Sequence, residues 1–117
     1  MSENTEKTLF EKMMAGEIEA DFVHEDDLCI AIRDINPQAP THILVIPRRP
    51  IPTLDDLTED DEPLVGHLFT VARKVAASEG LANGYRTVFN CKEDGQQTVD
   101  HIHLHVLGGR RMNWPPG

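Results

Sequence analysis

The chain has 117 residues, of which 39% are hydrophobic and 26% are charged, a composition typical of one globular domain. Eleven Lys and Arg residues face twenty Asp and Glu residues, and the formal net charge of -9 disfavours non-specific binding to DNA or RNA. The polar segment 1–7 lacks the apolar stretch of a signal peptide, no apolar run is long enough to cross a bilayer, and two cysteines are too few for a disulfide framework. We therefore expect a cytoplasmic protein with no membrane or nucleic-acid partner, whose residues 1–7 are disordered.

The beginning of the chain predicts a short helix followed by a hairpin. Thr8 and Glu11 have the spacing of a capping box, in which each side chain bonds to the backbone of the other residue. A helix should therefore begin after Thr8 and continue to Met14. Residues 22–25 and 28–33 are typical of strands, and the two aspartates between them predict a tight turn.

The rest of the chain predicts three more strands and a second helix. Residues 42–46 are apolar on both faces apart from the first residue, as in a central strand that is covered on both sides. Between residues 60 and 78 apolar residues recur every three or four positions, which predicts an amphipathic helix. Residues 86–91 and 101–107 resemble strands, and the polar segment between them is too short for a crossover helix. The predicted fold class is α+β, with an antiparallel sheet of about five strands and two helices.

Histidines alternate with aliphatic residues in the last predicted strand. Because side chains on a strand point alternately to its two faces, His101, His103 and His105 should share one face. Imidazole is costly to bury without hydrogen-bond partners, so three parallel rings indicate a functional site rather than core packing. The alternative without a function is a hydrogen-bonded ladder on a half-exposed strand.

Two chemistries fit a row of three imidazoles. One is metal binding, since zinc in enzymes is often held by three protein nitrogens and a water molecule. The other is nucleophilic catalysis at phosphorus, in which one imidazole attacks and its neighbours orient it and stabilise the phosphoryl oxygens. On a straight strand the first and third positions lie roughly 13 Å apart, which is too far for one tetrahedral ion and favours phosphorus chemistry. A bulge would bring the rings together, so the metal alternative stays open.

A wider set of motifs accompanies the three histidines. It comprises DINPQAPTH at 34–42, VIP at 45–47, Asn90, QQTV at 96–99, GGR at 108–110 and WPPG at 114–117. Together with the HIHLHV run at 101–106, this ordered set resembles the histidine triad (HIT) superfamily of nucleotide hydrolases and transferases. The WPPG ending resembles the Hint branch of that superfamily, the purine nucleoside phosphoramidases. The resemblance covers the chain from about Leu9 onward.

The resemblance implies a role for each residue of the catalytic motif. His103 would attack the α-phosphorus of an adenosine 5'-phosphoramidate and displace the amine, and water would then release AMP from the nucleotidyl-histidine. His105 would contact the phosphate and Thr98 the leaving group. His101 and His42 would form the supporting polar shell. No metal or other cofactor is implied.

The resemblance also implies a nucleotide pocket. Asp34 would accept hydrogen bonds from the ribose hydroxyls. The phosphate pocket would be completed by Asn90, Gln97 and Val99. The base pocket would be lined by Leu9, Phe10, Met13, Ile18, Ile32 and Ile35. A purine nucleotide is therefore the implied substrate.

A homodimer follows from the resemblance as well. A single HIT-like domain would span residues 1–117, and two five-stranded sheets would join into one ten-stranded sheet across the dimer. The tail 110–117 would lie near the dimer interface and the active site, with Trp114 contributing to the nucleotide site.

Four positions depart from the Hint pattern and leave the substrate open in detail. They are Gln96, Thr98, Arg111 and Asn113. These positions bear on the amine that is released and on the specificity of the phosphate loop. Two other functions stay open, namely hydrolysis of other adenylyl conjugates, such as aminoacyl adenylates or dinucleoside polyphosphates, and nucleotide binding with negligible turnover.

Overall fold

The computed structural model of the chain describes residues 6–117, so most of segment 1–7, for which we expect disorder, lies outside the described residues. Within the described part of that segment, Lys7 forms an ion pair with Glu17. In chain order the elements are α1 (Leu9–Met14), β1 (Phe22–Glu25), β2 (Cys29–Arg33), β3 (Thr41–Pro47), α2 (Glu62–Ser78), β4 (Tyr85–Val88) and β5 (Leu104–Gly108). Two short 3-10 turns, Leu54–Asp56 and Glu59–Asp61, precede α2.

The strands of the described chain form one five-stranded sheet in the order β1-β2-β3-β5-β4. Every neighbouring pair is antiparallel. β3 lies at the centre, as its two apolar faces predict, and β1 and β4 form the edges. This sheet and the two helices confirm the predicted α+β class.

Each face of the sheet packs against a different helix. The face covered by α2 forms a core of Cys29, Ala31, Ile43, Val45, Leu68, Val71, Ala72, Val75, Ala76, Leu104 and Val106. The face covered by α1 forms a second cluster of Phe10, Met13, Ile30, Ile32, Leu44 and Ile46. Burial of each large aliphatic or aromatic side chain stabilises the fold by about 1.5–3 kcal/mol. The alternation of the strand residues between the clusters follows from the period of two along each strand.

Both helices end where the sequence predicts. The Thr8 hydroxyl accepts a hydrogen bond from the Glu11 amide at 3.1 Å, and the Glu11 carboxylate accepts one from the Thr8 amide at 2.9 Å, which completes the capping box of α1. Gly16 and Gly80 follow α1 and α2 with φ of 79° and 76°, values that glycine adopts at little cost. No helix within residues 6–117 is long and apolar enough to cross a membrane.

The prediction of one strand over residues 101–107 is wrong at its beginning. The His101 amide donates to the Val99 carbonyl at 2.8 Å, and the Ile102 amide donates to the Ile51 carbonyl at 2.8 Å. These bonds to a turn and to a distant loop replace ladder bonds, so β5 begins only at Leu104. The prediction of a strand over 86–91 is wrong at its end, since β4 ends at Val88. Its last pair with β5 is Val88 with His105, and β5 begins just before His105.

Candidate active site

A cavity of about 190 Å³ lies on the α1 face of the sheet, and two of the three motif histidines line it. Its lining residues are Leu9, Phe10, Met13, Glu19, Ala20, Ile32, Arg33, Asp34, Ile35, Leu44, Thr98, Val99, His103 and His105. A larger hollow of about 530 Å³ lies elsewhere, between the end of α2 and the segment 109–111, and its lining contains no histidine among the described residues. The smaller cavity therefore holds the groups with catalytic chemistry.

The sheet register places His42 and His105 side by side at this cavity. His105 of β5 is directly opposite Leu44 of β3, whose side chain belongs to the α1 face. His42 lies two residues before Leu44 and therefore shares the same face. The two imidazole rings have centroids 5.2 Å apart, and His42 Nε2 lies 2.9 Å from His105 Nδ1.

A chain of hydrogen bonds fixes which nitrogens of these two rings carry protons. The Gln38 amide donates to His42 Nδ1 at 3.0 Å, so the neutral His42 ring carries its proton on Nε2. That Nε2–H then donates to His105 Nδ1, which leaves the proton of His105 on its Nε2. His105 Nε2 is buried and is the one buried side-chain polar atom of the described residues without a partner. A ring that lines the cavity thus holds a donor ready for an anionic oxygen.

Two backbone carbonyls fix the rings of His103 and His101. His103 Nδ1 donates to the His101 carbonyl at 2.8 Å, so the lone pair of neutral His103 lies on Nε2. His101 Nε2 donates to the Pro47 carbonyl at 2.8 Å, and its Nδ1 accepts from the Thr8 hydroxyl at 2.7 Å. The phenyl ring of Phe10 packs edge-on against both imidazoles, with centroids 4.9 Å from His103 and 5.5 Å from His101.

Burial keeps all four imidazoles of the site neutral near pH 7. It lowers the pKa of His42, His101 and His103 below the usual value of 6.5. Burial, followed by the neighbouring rings of His103 and His42, lowers the pKa of His105 to about 4. A neutral imidazole is the form that acts as a nucleophile, so the site provides that form without a change of pH.

The carboxylate of Asp34 stands at the edge of this histidine cluster. Its Oδ1 accepts a hydrogen bond from the Asn36 amide at 2.8 Å, as in an Asx turn, and its Oδ2 lies 3.4 Å from His42 Nε2. Asp34 therefore both shapes the loop after β2 and faces the cavity. The negative charge partly offsets the effect of burial on the His42 pKa.

Most of the predicted base-pocket residues meet at the cavity. Its apolar lining includes Leu9, Phe10, Met13, Ile32, Ile35 and Val99. Ile35 is 93% exposed and Leu9 is 43% exposed, so apolar surface is available at the mouth. Ile18 lines an adjoining open groove that shares Met13 and Ile35 with the cavity.

Six predicted site residues are not among the described residues that line the cavity: His42, His101, Ile18, Asn90, Gln97 and Trp114. The first two reach it through hydrogen bonds to its lining residues. The Gln97 amide is engaged with backbone, since its Nε2 donates to the Pro52 and Val99 carbonyls and its Oε1 accepts from the Lys92 amide. Gln97 thus holds the loop that presents Thr98.

In the single chain Trp114 lies beside edge strand β4. Its ring is 80% exposed, and the Arg86 guanidinium of β4 lies 5.8 Å from the ring centroid. Arg86 also donates to the Asn113 carbonyl at 2.9 Å and so attaches the tail to edge strand β4. The chain alone does not bring Trp114 to the histidines.

Sequence reasoning missed three groups that orient the site: the Thr8 hydroxyl, the Gln38 amide and the Pro47 carbonyl. Thr8 carries a helix-cap signal, but nothing local indicates that the same hydroxyl bonds to His101. The backbone groups have no side-chain signature at all.

The donor atoms that could hold a metal here differ from the row of three motif histidines. Asp34, His42 and His105 each offer one ligand atom, and these atoms lie within 4.8 Å of one another. His101 does not take part, because both of its ring nitrogens are bonded to Thr8 and Pro47. A divalent cation would therefore approach the carboxylate side of the cluster rather than the whole triad.

Comparison with known proteins agrees with this geometry. The model of the HIT domain family matches residues 15–112. An uncharacterised HIT-like protein of Synechococcus elongatus is 54% identical over 113 residues, which are 97% of this chain and 99% of that protein. The crystal structure of a HIT family hydrolase from Legionella pneumophila has a TM-score of 0.92 and 52% identity, covering 95% of this chain and 100% of that one.

A more distant structure shares the same architecture. The histidine triad nucleotide-binding protein from Candida albicans has a TM-score of 0.79 and 25% identity, covering 95% of this chain and 85% of that one. The chain belongs to the HIT family and has the fold of its hydrolases. The predicted HIT-like fold is confirmed for the single chain.

Proposed function

We propose that this protein is a purine nucleoside phosphoramidase of the Hint type, with His103 as the nucleophile. The observation that carries the proposal is the pairing of two oriented rings at one cavity. The lone pair of His103 is directed to Nε2 by the bond from Nδ1 to the His101 carbonyl, and the unpartnered His105 Nε2 carries a proton. The two ring centroids lie 4.9 Å apart, so an attacking nitrogen and an anion-binding donor stand beside each other.

The first chemical step forms a covalent intermediate. His103 Nε2 donates its electron pair to the α-phosphorus, and the bond from phosphorus to the amine nitrogen breaks. The electron pair of that bond leaves with the amine, which takes up a proton and departs as a neutral amine or ammonium ion. Thr98 lines the cavity, and we assign its hydroxyl to the leaving-group side. His105 Nε2–H donates to a non-bridging oxygen and stabilises the charge that develops there.

The second step restores the enzyme. Water attacks the phosphorus of the nucleotidyl-His103, the bond from phosphorus to imidazole breaks, and AMP leaves while His103 Nε2 regains its lone pair. None of these steps needs an oxidant, a reductant or a cofactor. His101 positions His103 through its carbonyl, and His42 positions His105 through Nε2.

The walls of the cavity suit a purine nucleoside. Leu9, Phe10, Met13 and Ile32 offer apolar surface for a flat base, and the open mouth at Ile35 and the groove at Ile18 extend that surface. The Asp34 carboxylate offers acceptor oxygens for two vicinal hydroxyls. We assign Asn90 and Gln97 to the support of the phosphate loop, together with Val99.

The second copy in a homodimer would supply the part of the site that one chain lacks. β4 is an edge strand of the described sheet, and the tail is attached to it through Arg86. Pairing of two such edges would join the sheets into one ten-stranded sheet and carry Trp114 towards the partner's cavity. Sedimentation of the full chain should therefore give a dimer, and a monomer at micromolar concentration would contradict this part of the proposal.

The test is hydrolysis of an adenosine 5'-phosphoramidate in the presence of EDTA, comparing wild type with His103→Ala and Thr98→Ala. Wild type should turn over, and His103→Ala should lose at least about 1,000-fold in kcat/KM. Single-turnover samples quenched in base and measured by intact mass should show an adenylylated chain in wild type only. An inactive wild type that binds AMP would instead indicate a nucleotide-binding module. Faster turnover of an aminoacyl adenylate or a dinucleoside polyphosphate would change the substrate but keep the nucleophile.

A further inference from the structure

On the sheet face opposite the cavity, four side chains with metal-binding atoms converge at the β1–β2 hairpin. We call them the Asp26 cluster; they are His24 of β1, Asp26 of the turn, Cys29 of β2 and His67 of α2. His24 is paired with Ala31, and Ala31 and Cys29 both belong to the core beneath α2. The cluster therefore lies away from the proposed active site, and the mechanism above does not use it.

The four groups meet at one carboxylate oxygen. His24 Nε2 and His67 Nε2 each lie 2.7 Å from Asp26 Oδ2, and Cys29 Sγ lies 3.8 Å from the same atom. The ligand atoms of His24, Asp26 and Cys29 all lie within 4.8 Å of one another, and His67 joins this group through its contact with Asp26 Oδ2. Two imidazole nitrogens, one carboxylate oxygen and one thiol sulfur are thus gathered from two strands, a turn and a helix.

These separations are close to those of ligands around a tetrahedral zinc ion. Bond lengths of about 2.0–2.1 Å to nitrogen and oxygen and about 2.3 Å to sulfur put neighbouring ligand atoms about 3.3–3.6 Å apart. The sulfur–oxygen distance of 3.8 Å exceeds the upper value by about 0.2 Å, and each imidazole would have to move away from the oxygen by about 0.6 Å. Because His24, Asp26 and His67 keep 28%, 27% and 32% of their side-chain surface exposed, an ion can reach them and the rings can adjust.

The surroundings already hold the carboxylate in the orientation that a ligand needs. Asp26 Oδ1 accepts hydrogen bonds from the Leu28 and Cys29 amides, both at 2.8 Å, so Oδ2 is left to face the other three groups. Such outer hydrogen bonds fix metal ligands in known sites. An aspartate and a thiolate also carry two negative charges, which balance a divalent cation in a half-buried position.

We propose that His24, Asp26, Cys29 and His67 are the ligands of a structural site for a thiophilic divalent cation, and that this cation is Zn²⁺. Sulfur and imidazole donors favour zinc over magnesium or calcium, which prefer oxygen donors alone. The bound ion would join the β1–β2 hairpin to α2 across the sheet face. Binding would break two hydrogen bonds from imidazole to Asp26, and the proton of each ring would move from Nε2 to Nδ1 by exchange with solvent. Binding would also release the thiol proton of Cys29 to solvent and form four coordinate bonds.

A purely hydrogen-bonded network of these four side chains is the alternative that the test must exclude. Burial raises the Asp26 pKa, but the hydrogen bonds from His24 and His67 outweigh it, so the net pKa lies below its usual range. Burial, followed by the charge of Asp26, raises the pKa of the Cys29 thiol to about 12. Without an ion, therefore, a carboxylate is bonded by two imidazoles beside a protonated thiol.

The experiment is titration of the metal-free full chain with Co²⁺, followed by absorption spectroscopy. A thiolate bound to cobalt gives a charge-transfer band in the near ultraviolet, which Asp34, His42 and His105 cannot produce because they include no sulfur. The band should saturate at one Co²⁺ per chain and disappear when Zn²⁺ is added. Cys91→Ala is the matched control and should keep the band, whereas Cys29→Ala should lose it.

Variants of the two histidines keep the test valid if Cys29→Ala does not fold. His24→Ala and His67→Ala alter half-exposed side chains, and each should weaken Co²⁺ and Zn²⁺ binding by at least about tenfold. Zn²⁺ should raise the Tm of wild type and Cys91→Ala but leave that of His24→Ala unchanged. No charge-transfer band in wild type, or a band that survives Cys29→Ala, would overturn the proposal and leave the Asp26 cluster as a hydrogen-bonded network.

Discussion

His42 and His105 lie on neighbouring strands with Nε2 and Nδ1 2.9 Å apart, and this contact decides the protonation of both rings. The Gln38 amide occupies the other nitrogen of His42, so the proton passed along the pair ends on His105 Nε2. The backbone N–H of Gln38 therefore determines, through the ring of His42, that His105 Nε2 carries a proton and can donate it in a hydrogen bond. Groups of the protein alone orient this donor, as electrostatic preorganisation requires.

Replacement of the donor on His105 should slow the chemical step. His105→Phe keeps a flat ring but removes the N–H, and we expect kcat on an adenosine phosphoramidate to fall by about 100- to 1,000-fold. His105→Gln retains an amide donor and should lose less. Steady-state kinetics of the two variants check the prediction, and equal losses would show that the ring shape matters more than the donor.

Thr8 should contribute to stability through two hydrogen bonds made by one oxygen. Thr8→Val removes the helix cap and the donor to His101 Nδ1, and we expect a loss of about 2–4 kcal/mol in the free energy of unfolding. Thr8→Asp restores the cap alone and should recover about 1 kcal/mol. Thr8→Ser keeps both bonds and serves as the control in urea denaturation. A Thr8→Val chain as stable as Thr8→Ser would contradict the prediction.

The folded chain should lose stability as the pH falls below about 6.5. The site histidines have pKa values lowered by burial, so between their folded and unfolded pKa values the unfolded chain binds more protons. The free energy of unfolding then rises with pH and levels off above the unfolded value. His105, with a folded pKa of about 4, accounts for about 2 kcal/mol between pH 6.5 and 5.

A variant that lacks the imidazole of His105 isolates its contribution to this pH dependence. Urea unfolding of wild type and His105→Gln at several pH values should show a shallower slope for the variant. Parallel slopes would mean that the fold does not lower the pKa of His105.

Gln96 should be replaceable by glycine with a gain in stability. Its φ of 61° is a left-handed conformation, which costs a residue with a side chain about 1–2 kcal/mol. Gln96→Gly removes this cost. The greater conformational freedom of glycine in the unfolded chain lowers the stability by about 0.5–1 kcal/mol. The net gain should be about 0.5–1 kcal/mol in urea denaturation. Gln96→Ala keeps the strain and is the reference; a glycine variant no more stable than it would refute this account.

The fold was predictable where the sequence pattern involves residues that are close together in the chain. The capping box at Thr8, the run of apolar residues in β3 and the helical stripe of α2 depend on residues within one or two turns of each other. The beginning of β5 was not predictable, because the Ile102 amide bonds to the carbonyl of Ile51 far away in the chain. The HIHLHV alternation is typical of a strand and gives no sign of that competing partner.

The site was predictable as a set of residue types more than as a set of contacts. His103, His105 and Thr98 line the cavity as the motif indicates, and so does Asp34. The side-chain amide of Gln97 could donate hydrogen bonds to a phosphate. In the structure its Nε2 donates to two backbone carbonyls instead. Which partner a polar side chain takes depends on the loop conformation, and spacing in the sequence does not determine it.

One oxygen atom links the start of α1 to His101, the residue whose carbonyl orients His103. Thr8 Oγ1 caps the helix and bonds to His101, whose carbonyl orients His103, and the Phe10 ring on that helix packs against both imidazoles. When α1 packs against the sheet, it therefore supplies both the Phe10 ring of the cavity wall and the hydrogen bond that supports His101 and, through it, His103. A chain in which this helix has not docked lacks both, so we expect it neither to bind a nucleotide at this cavity nor to form the proposed adduct on His103.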